Sequence, residues 1–173
     1  KSEHIRVAFR HPPSPRSGHA MKMHLGKLTI STPSFQPGER IPERHVSGKP
    51  TSPPLTWSGA PEGTRSFALV VHDPDAPLTY GFTHWVIYGI PADATGLAEG
   101  AVDGFVRGSN ALGNGDYLPP SPPQGHGDHH YYFELYALDS DLDLPPGLTR
   151  AELLEKIDDH IIEQARIIGT YSN

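Results

Sequence analysis

Ser66-Phe67-Ala68-Leu69-Val70-Val71-His72-Asp73-Pro74-Asp75-Ala76-Pro77 is the stretch on which the fold turns. It begins as an apolar run of strand formers and ends with two acids, Asp73 and Asp75, interleaved with Pro74 and Pro77. The apolar run predicts a buried strand. Pro74 and Pro77 fix φ and offer no N–H, so the sheet cannot continue through them. Asp and Pro are ordinary turn residues, and the loop reads equally as a polar turn capping a strand. A strand that delivers carboxylates to a stiff loop is also a common way to build a site.

Outward from this stretch, the chain shows the same alternation of short strands and turns. Its 173 residues include 18 Gly and 19 Pro, which suits many turns and one domain with a substantial core. Leu28–Ser31 alternates and predicts a strand. Ser52-Pro53-Pro54-Leu55-Thr56-Trp57 leads into the turn cluster Gly59–Gly63. Phe82–Ile90 predicts a second long strand, stopped by Pro91, and Ala101–Val106 a short one. Tyr117-Leu118-Pro119-Pro120-Ser121-Pro122-Pro123 is stiff and extended, and Tyr131–Leu138 is a third aromatic strand. Residues 1–24 read as an irregular arm, part of it readable as expression-derived sequence ahead of Met21 or Met23; residues 25–173 form the domain.

One helix is expected. Thr149-Arg150-Ala151-Glu152 has the form of a capping box, and Leu153, Leu154, Ile157, Ile161, Ile162, Ala165 and Ile168 follow at helical spacing until Gly169. The fold class is therefore mainly β: an all-β sandwich with a small helical appendage, the C-terminal α-helix.

The net charge of −6, with no Lys/Arg cluster, argues against nucleic acid as a main partner. There is no cysteine, hence no disulfide and no thiolate metal site. No apolar run reaches membrane-spanning length, and no cofactor motif stands out. A cytoplasmic location is expected, with periplasm or secretion left open.

Three features carry chemistry: the Asp73/Asp75 loop, His84, and Gln124-Gly125-His126-Gly127-Asp128-His129-His130-Tyr131. Strand residues two apart share a face. His129 and Tyr131 then point one way, His130 and Tyr132 the other. By the same rule His84, Val86 and Tyr88 share a face opposite Trp85 and Ile87. A pocket at the sheet end can collect Asp73, His84, His129 and Tyr131, although each His taken alone reads equally as a satisfied core residue. His126-x-Asp128-His129-His130 contains metal-ligand residue types but matches no standard zinc spacing.

Ser52–Trp57, Asp73-Pro74-Asp75-Ala76-Pro77, His84-Trp85, His129-x-Tyr131 and Gly169-Thr170-Tyr171 occur in an order that resembles the phosphatidylethanolamine-binding protein family, in its bacterial and archaeal, Raf-kinase-inhibitor-like branch. The resemblance runs from about Leu28 to Tyr171. It implies a large antiparallel β-sandwich with a small cavity at one end that binds phosphate, acetate or a phospholipid headgroup. Carried over, the ligand-binding residues are Asp73, Asp75, Pro77, His84, Pro122, Pro123, His129 and Tyr131. The two histidines and the tyrosine hydroxyl would donate to the anion, and Asp73 would orient and counter-charge them. The sequence departs from the family at His130, where Arg is usual, so an outer salt bridge is expected to be lost. It departs also at Leu118-Pro119, where a Gly-rich rim is usual, which stiffens the mouth.

The leading expectation is a binding protein for a small anionic or phosphorylated ligand, with possible regulation of a kinase or protease partner and a homodimer as in bacterial relatives. The alternative is an acid–base enzyme using the same Asp/His/His/Tyr group. No Gly-x-Ser-x-Gly nucleophile motif is present.

Overall fold

Ser66–Asp73 forms a strand, β3, in which all eight residues are buried. It lies at the centre of a five-stranded antiparallel sheet in the computed structural model, which describes residues 26–173. The expected arm at residues 1–24 falls outside the described residues. In chain order the strands are β1 (Thr29–Ser31), β2 (Leu55–Ser58), β3, β4 (Phe82–Pro91), β5 (Gly96–Leu97), β6 (Val106–Arg107), β7 (His129–Leu138) and β8 (Ile161–Tyr171); the helix α1 (Arg150–Ile157) precedes β8. The large sheet has the order β6-β4-β3-β7-β8, and a smaller sheet has the order β1-β2-β5.

Two layers of apolar side chains explain why β3 has no polar face. Phe67, Leu69 and Val71 pack between the two sheets with Leu55, Trp57, Trp85, Phe133 and Leu135. Ala68 and Val70 face the other way, under Leu148, Leu153 and Ile157 of the helical segment. Both faces are covered, so the sequence reads as a continuous apolar run rather than an alternating one.

The sandwich matches its expectation, with one displaced element. Thr149 caps α1 as predicted: its Oγ1 accepts from Glu152 N at 3.3 Å and donates to Glu152 Oε1 at 2.9 Å. The helix stops at Ile157, however, and residues 161–171 form strand β8. The helical spacing through Ile168 is thus overruled. Asp158 and Asp159 follow the helix end, where the dipole disfavours negative charge. The Ile-rich segment beyond them satisfies the open edge of β7 in an antiparallel register from Leu138↔Ile161 to His129↔Tyr171. Gly169 does not end a helix. It lets residues 38–41 approach the strand: a Cβ there would stand 2.6 Å from Ile41 Cγ1. The short strand expected at Ala101–Val106 pairs only at Val106–Arg107.

Candidate functional site

The ends of β3, β4 and β7 meet where the β3–β4 loop leaves the sheet. Asp73 ends β3 and His129 begins β7. Their side chains are 3–4% exposed, and His129 Nδ1 lies 2.7 Å from Asp73 Oδ2. A carboxylate only accepts, so His129 carries its proton on Nδ1 and turns Nε2 away from the aspartate. The second oxygen of Asp73 accepts from Asp75 N at 2.8 Å, which folds the Asp-Pro-Asp turn onto the strand end.

His84 reaches the same place by a route that alternation does not give. Val71 pairs with Trp85 but His72 pairs with Thr83, so His84 is the extra residue of a β-bulge. The bulge brings His84 to the side occupied by Trp85 and Tyr131, not the side of Val86 and Tyr88, correcting the expected parity. His84 Nδ1 donates to Leu118 O at 2.8 Å, while Leu118 N donates to His84 O at 2.9 Å. Burial holds His84 below the ordinary histidine range, with the Leu118 carbonyl and Asp73 pulling the other way. Neutral His84 thus presents a bare Nε2.

Tyr131 packs edge-on against His84, with ring centroids 5.2 Å apart. Its residue is 1% exposed, and its hydroxyl has no hydrogen-bond partner among the described residues. Burial, then the Asp73 charge, raises the phenol's pKa, so it remains an O–H donor.

The remaining expected residues divide between walls and supports. Asp75 Oδ2 accepts from His130 N at 2.7 Å and from His130 Nδ1 at 2.8 Å. Partial burial pushes the Asp75 carboxyl up, and the His130 contacts outweigh it, for a net lowering. Asp75 therefore ties the loop to the outer side of β7 through His130. Pro77 and Pro123 are exposed, whereas Pro122 is buried and its carbonyl accepts from Asn173 Nδ2 at 2.7 Å. Gly125 N also donates to Asn173 O at 3.4 Å. Leu118 and Asn173 are supports that sequence reading missed; the Leu118 contact is made through backbone atoms, and Asn173 meets this loop only through the fold. His126 lies with its ring 5.9 Å from that of His129. Among the described residues, no group of three or more His, Asp or Glu is arranged to hold a metal ion.

Chemically, the centre combines a fixed Asp–His couple, a neutral imidazole with a free nitrogen and a buried phenol lacking an acceptor. Such a set can bind an oxyanion or move a proton.

Residues 31–172 match the family model of the phosphatidylethanolamine-binding protein. A UPF0098 protein of Methanothermobacter thermautotrophicus is 43% identical over 151 residues, covering 83% of this chain and 98% of that one. The crystal structure of CT736 from Chlamydia trachomatis, described as a phosphatidylethanolamine-binding protein homologue, superposes with a TM-score of 0.80 at 37% identity, covering 86% of this chain and 99% of that one. The chain belongs to the phosphatidylethanolamine-binding protein family. A Mycobacterium tuberculosis relative, 40% identical over 146 residues (83% of this chain, 72% of its own), has lipoprotein in its name. Family membership therefore does not fix a compartment. No helix among the described residues is long and apolar enough to cross a membrane.

Proposed function

We propose that the protein binds a small oxyanion, as phosphate or a phosphorylated headgroup, at the Asp73–His84–His129–Tyr131 centre. The observation that carries this reading is the Tyr131 hydroxyl, buried without an acceptor. Leaving a buried donor unmade costs about 1–3 kcal/mol, and a ligand oxygen would recover it. His129, held through Nδ1 by Asp73, turns Nε2 toward the ligand, while neutral His84 would accept from a ligand O–H. A hydrogen-bearing oxyanion such as hydrogen phosphate suits that donor–acceptor pattern better than an acceptor-only anion. Asp75, Pro77, Pro122 and Pro123 shape the loops around it.

Calorimetry with inorganic phosphate and phosphoethanolamine tests the reading. Tyr131→Phe and His129→Ala are expected to weaken binding about tenfold or more, in line with one or two lost charge-assisted bonds. Unchanged affinity in both would remove the pocket. Modulation of a kinase or protease, and pairing with a second copy of the chain, go with this reading through the family resemblance; light scattering tests the second. The Asp73–His129 bond at 2.7 Å also supports a second reading, acid–base catalysis with Nε2 as the base. Turnover of a phosphoester panel that is lost in His129→Ala would favour it.

A further inference from the structure

A cavity of about 260 Å³ lies behind Trp85 and Tyr117, separate from the Asp–His centre. Three rings wall it. Trp85 meets Phe105 edge-on with centroids 5.8 Å apart, and meets Tyr117 edge-on at 5.8 Å. Aromatic walls with a few polar groups are the usual form of a small-molecule site. The walls are also braced. Tyr117 donates its hydroxyl to His45 O at 3.2 Å. His45 is fully buried and spans from Thr51 O at 2.8 Å to Ser34 Oγ at 2.9 Å. A site held in this way loses little entropy on binding.

The polar groups at this cavity are mostly donors. Trp57 gives its indole N–H to Ala94 O at 2.9 Å, but the Trp85 indole makes no hydrogen bond to another described residue. Ser52, 3% exposed, lines the cavity, and its hydroxyl is likewise without a described partner. Arg107 gives one N–H to Asp116 at 3.3 Å and one to Val102 O at 2.8 Å. A guanidinium has five donors, so others remain for a ligand. Asp116 is the acidic residue of the lining, and its side chain is 70% exposed, so solvent weakens its hold on Arg107. Flat apolar walls with a surplus of donors suit a planar ring carrying acceptor oxygens.

We propose that this cavity binds a small aromatic carboxylate, with its ring among Trp85, Phe105 and Tyr117 and its carboxylate on Arg107. The volume lies just below the usual range of ligand sites and admits one ring or a fused pair.

The test is a titration of the full ¹⁵N-labelled chain with benzoate, benzamide and benzylammonium, followed through the indole N–H signals. Benzoate should move the Trp85 signal in a saturable way and leave that of Trp57 in place. Val102 is 64% exposed at the cavity, so Val102→Phe should block entry without unfolding the protein. It is expected to weaken benzoate binding about tenfold or more, and Arg107→Gln to do so for benzoate but not for benzamide. The proposal is overturned if benzoate fails to saturate, if binding survives Val102→Phe in a folded protein, or if benzylammonium binds more tightly than benzoate. It is equally overturned if benzoate moves only the His84 and His129 ring signals, which would place the anion at the Asp–His centre.

Discussion

Asp73 and His129 lie 56 residues apart in the chain and share a buried 2.7 Å hydrogen bond, joining the end of one central strand to the start of the next. The Asp75–His130 pair is one step further out, with side chains 40% and 48% exposed. The two pairs look alike in sequence but differ in surroundings. Removing one partner of a buried pair costs about 3–5 kcal/mol, whereas an exposed pair is worth about 0–1 kcal/mol. Asp73→Ala is therefore expected to be destabilising by about 3 kcal/mol and Asp75→Ala by about 1 kcal/mol or less, measured by urea unfolding at pH 7. Equal losses would show that the inner pair has no special weight.

Ligand binding should depend on pH through His84. In the free protein, burial holds its imidazole below the ordinary value of 6.5. A bound dianion favours the imidazolium, so binding takes up a proton and affinity rises as pH falls. Sulfate, which brings no proton of its own, is the sharper probe: its affinity is expected to climb as pH falls through the ordinary histidine range toward the lowered range in which free His84 itself protonates, by at most about tenfold per pH unit for each proton taken up. Hydrogen phosphate can offer its own O–H to Nε2 and should show a shallower slope. His84→Gln should flatten the sulfate curve. A flat curve in the wild type would mean that His84 does not change protonation on binding.

The five-stranded frame was legible because β3, β4 and β7 are apolar, β-branched and aromatic, and because Pro74 and Pro91 mark their ends. The C-terminal segment was not. Ile157, Ile161, Ile162, Ala165 and Ile168 fit a helical period, but β7 presents an open edge whose pairing outweighs local spacing. That edge exists only in the folded chain. The membership of the candidate site was readable from residue types and order, yet the face of His84 was not. A one-residue bulge inverts alternation, and no side chain in Phe82-Thr83-His84-Trp85 announces it. The Asn173 contact to Pro122 lay equally beyond reach, since it joins the chain's last residue to a loop 51 positions earlier.

His72 predicts a loss of stability in acid. It points to the helix side of β3, with Nδ1 3.0 Å from Thr83 Oγ1, and burial, reinforced by the Arg150 charge, lowers its pKa to about 4, against opposing help from Asp73. The unfolded chain binds this proton near 6.5, while the folded one resists until about 4. The unfolded state thus holds more protons in that window, and stability falls as pH drops through it, by on the order of 3 kcal/mol from this residue. Above pH 6.5 His72 contributes no pH dependence. Because carboxylates titrate in the same range, the measurement is the difference between wild type and His72→Gln in urea midpoint from pH 7 to 4. A constant difference across that range would remove the assignment.

Gly81 closes the loop that carries Asp73, and its replacement should disturb both stability and binding. Its φ is +69°, and an added Cβ would fall against the Asp73 carbonyl oxygen, 2.8 Å from His72 Nε2 and 3.0 Å from Pro74 Cα. Backbone strain alone costs about 1 kcal/mol when alanine takes a positive φ, and displaced backbone adds to that. Gly63 provides the comparison: its φ is +90°, with nothing within 4 Å of an added Cβ. Gly81→Ala is expected to be destabilising by about 2–3 kcal/mol and Gly63→Ala by about 1 kcal/mol. Phosphate affinity should drop in the first variant, because the atoms that must yield belong to the strand end holding Asp73 against His129, and should be unchanged in the second. If the two variants lose equal stability, the close approach at Gly81 carries no energetic weight. If Gly81→Ala binds phosphate normally, the geometry of this loop does not set the pocket.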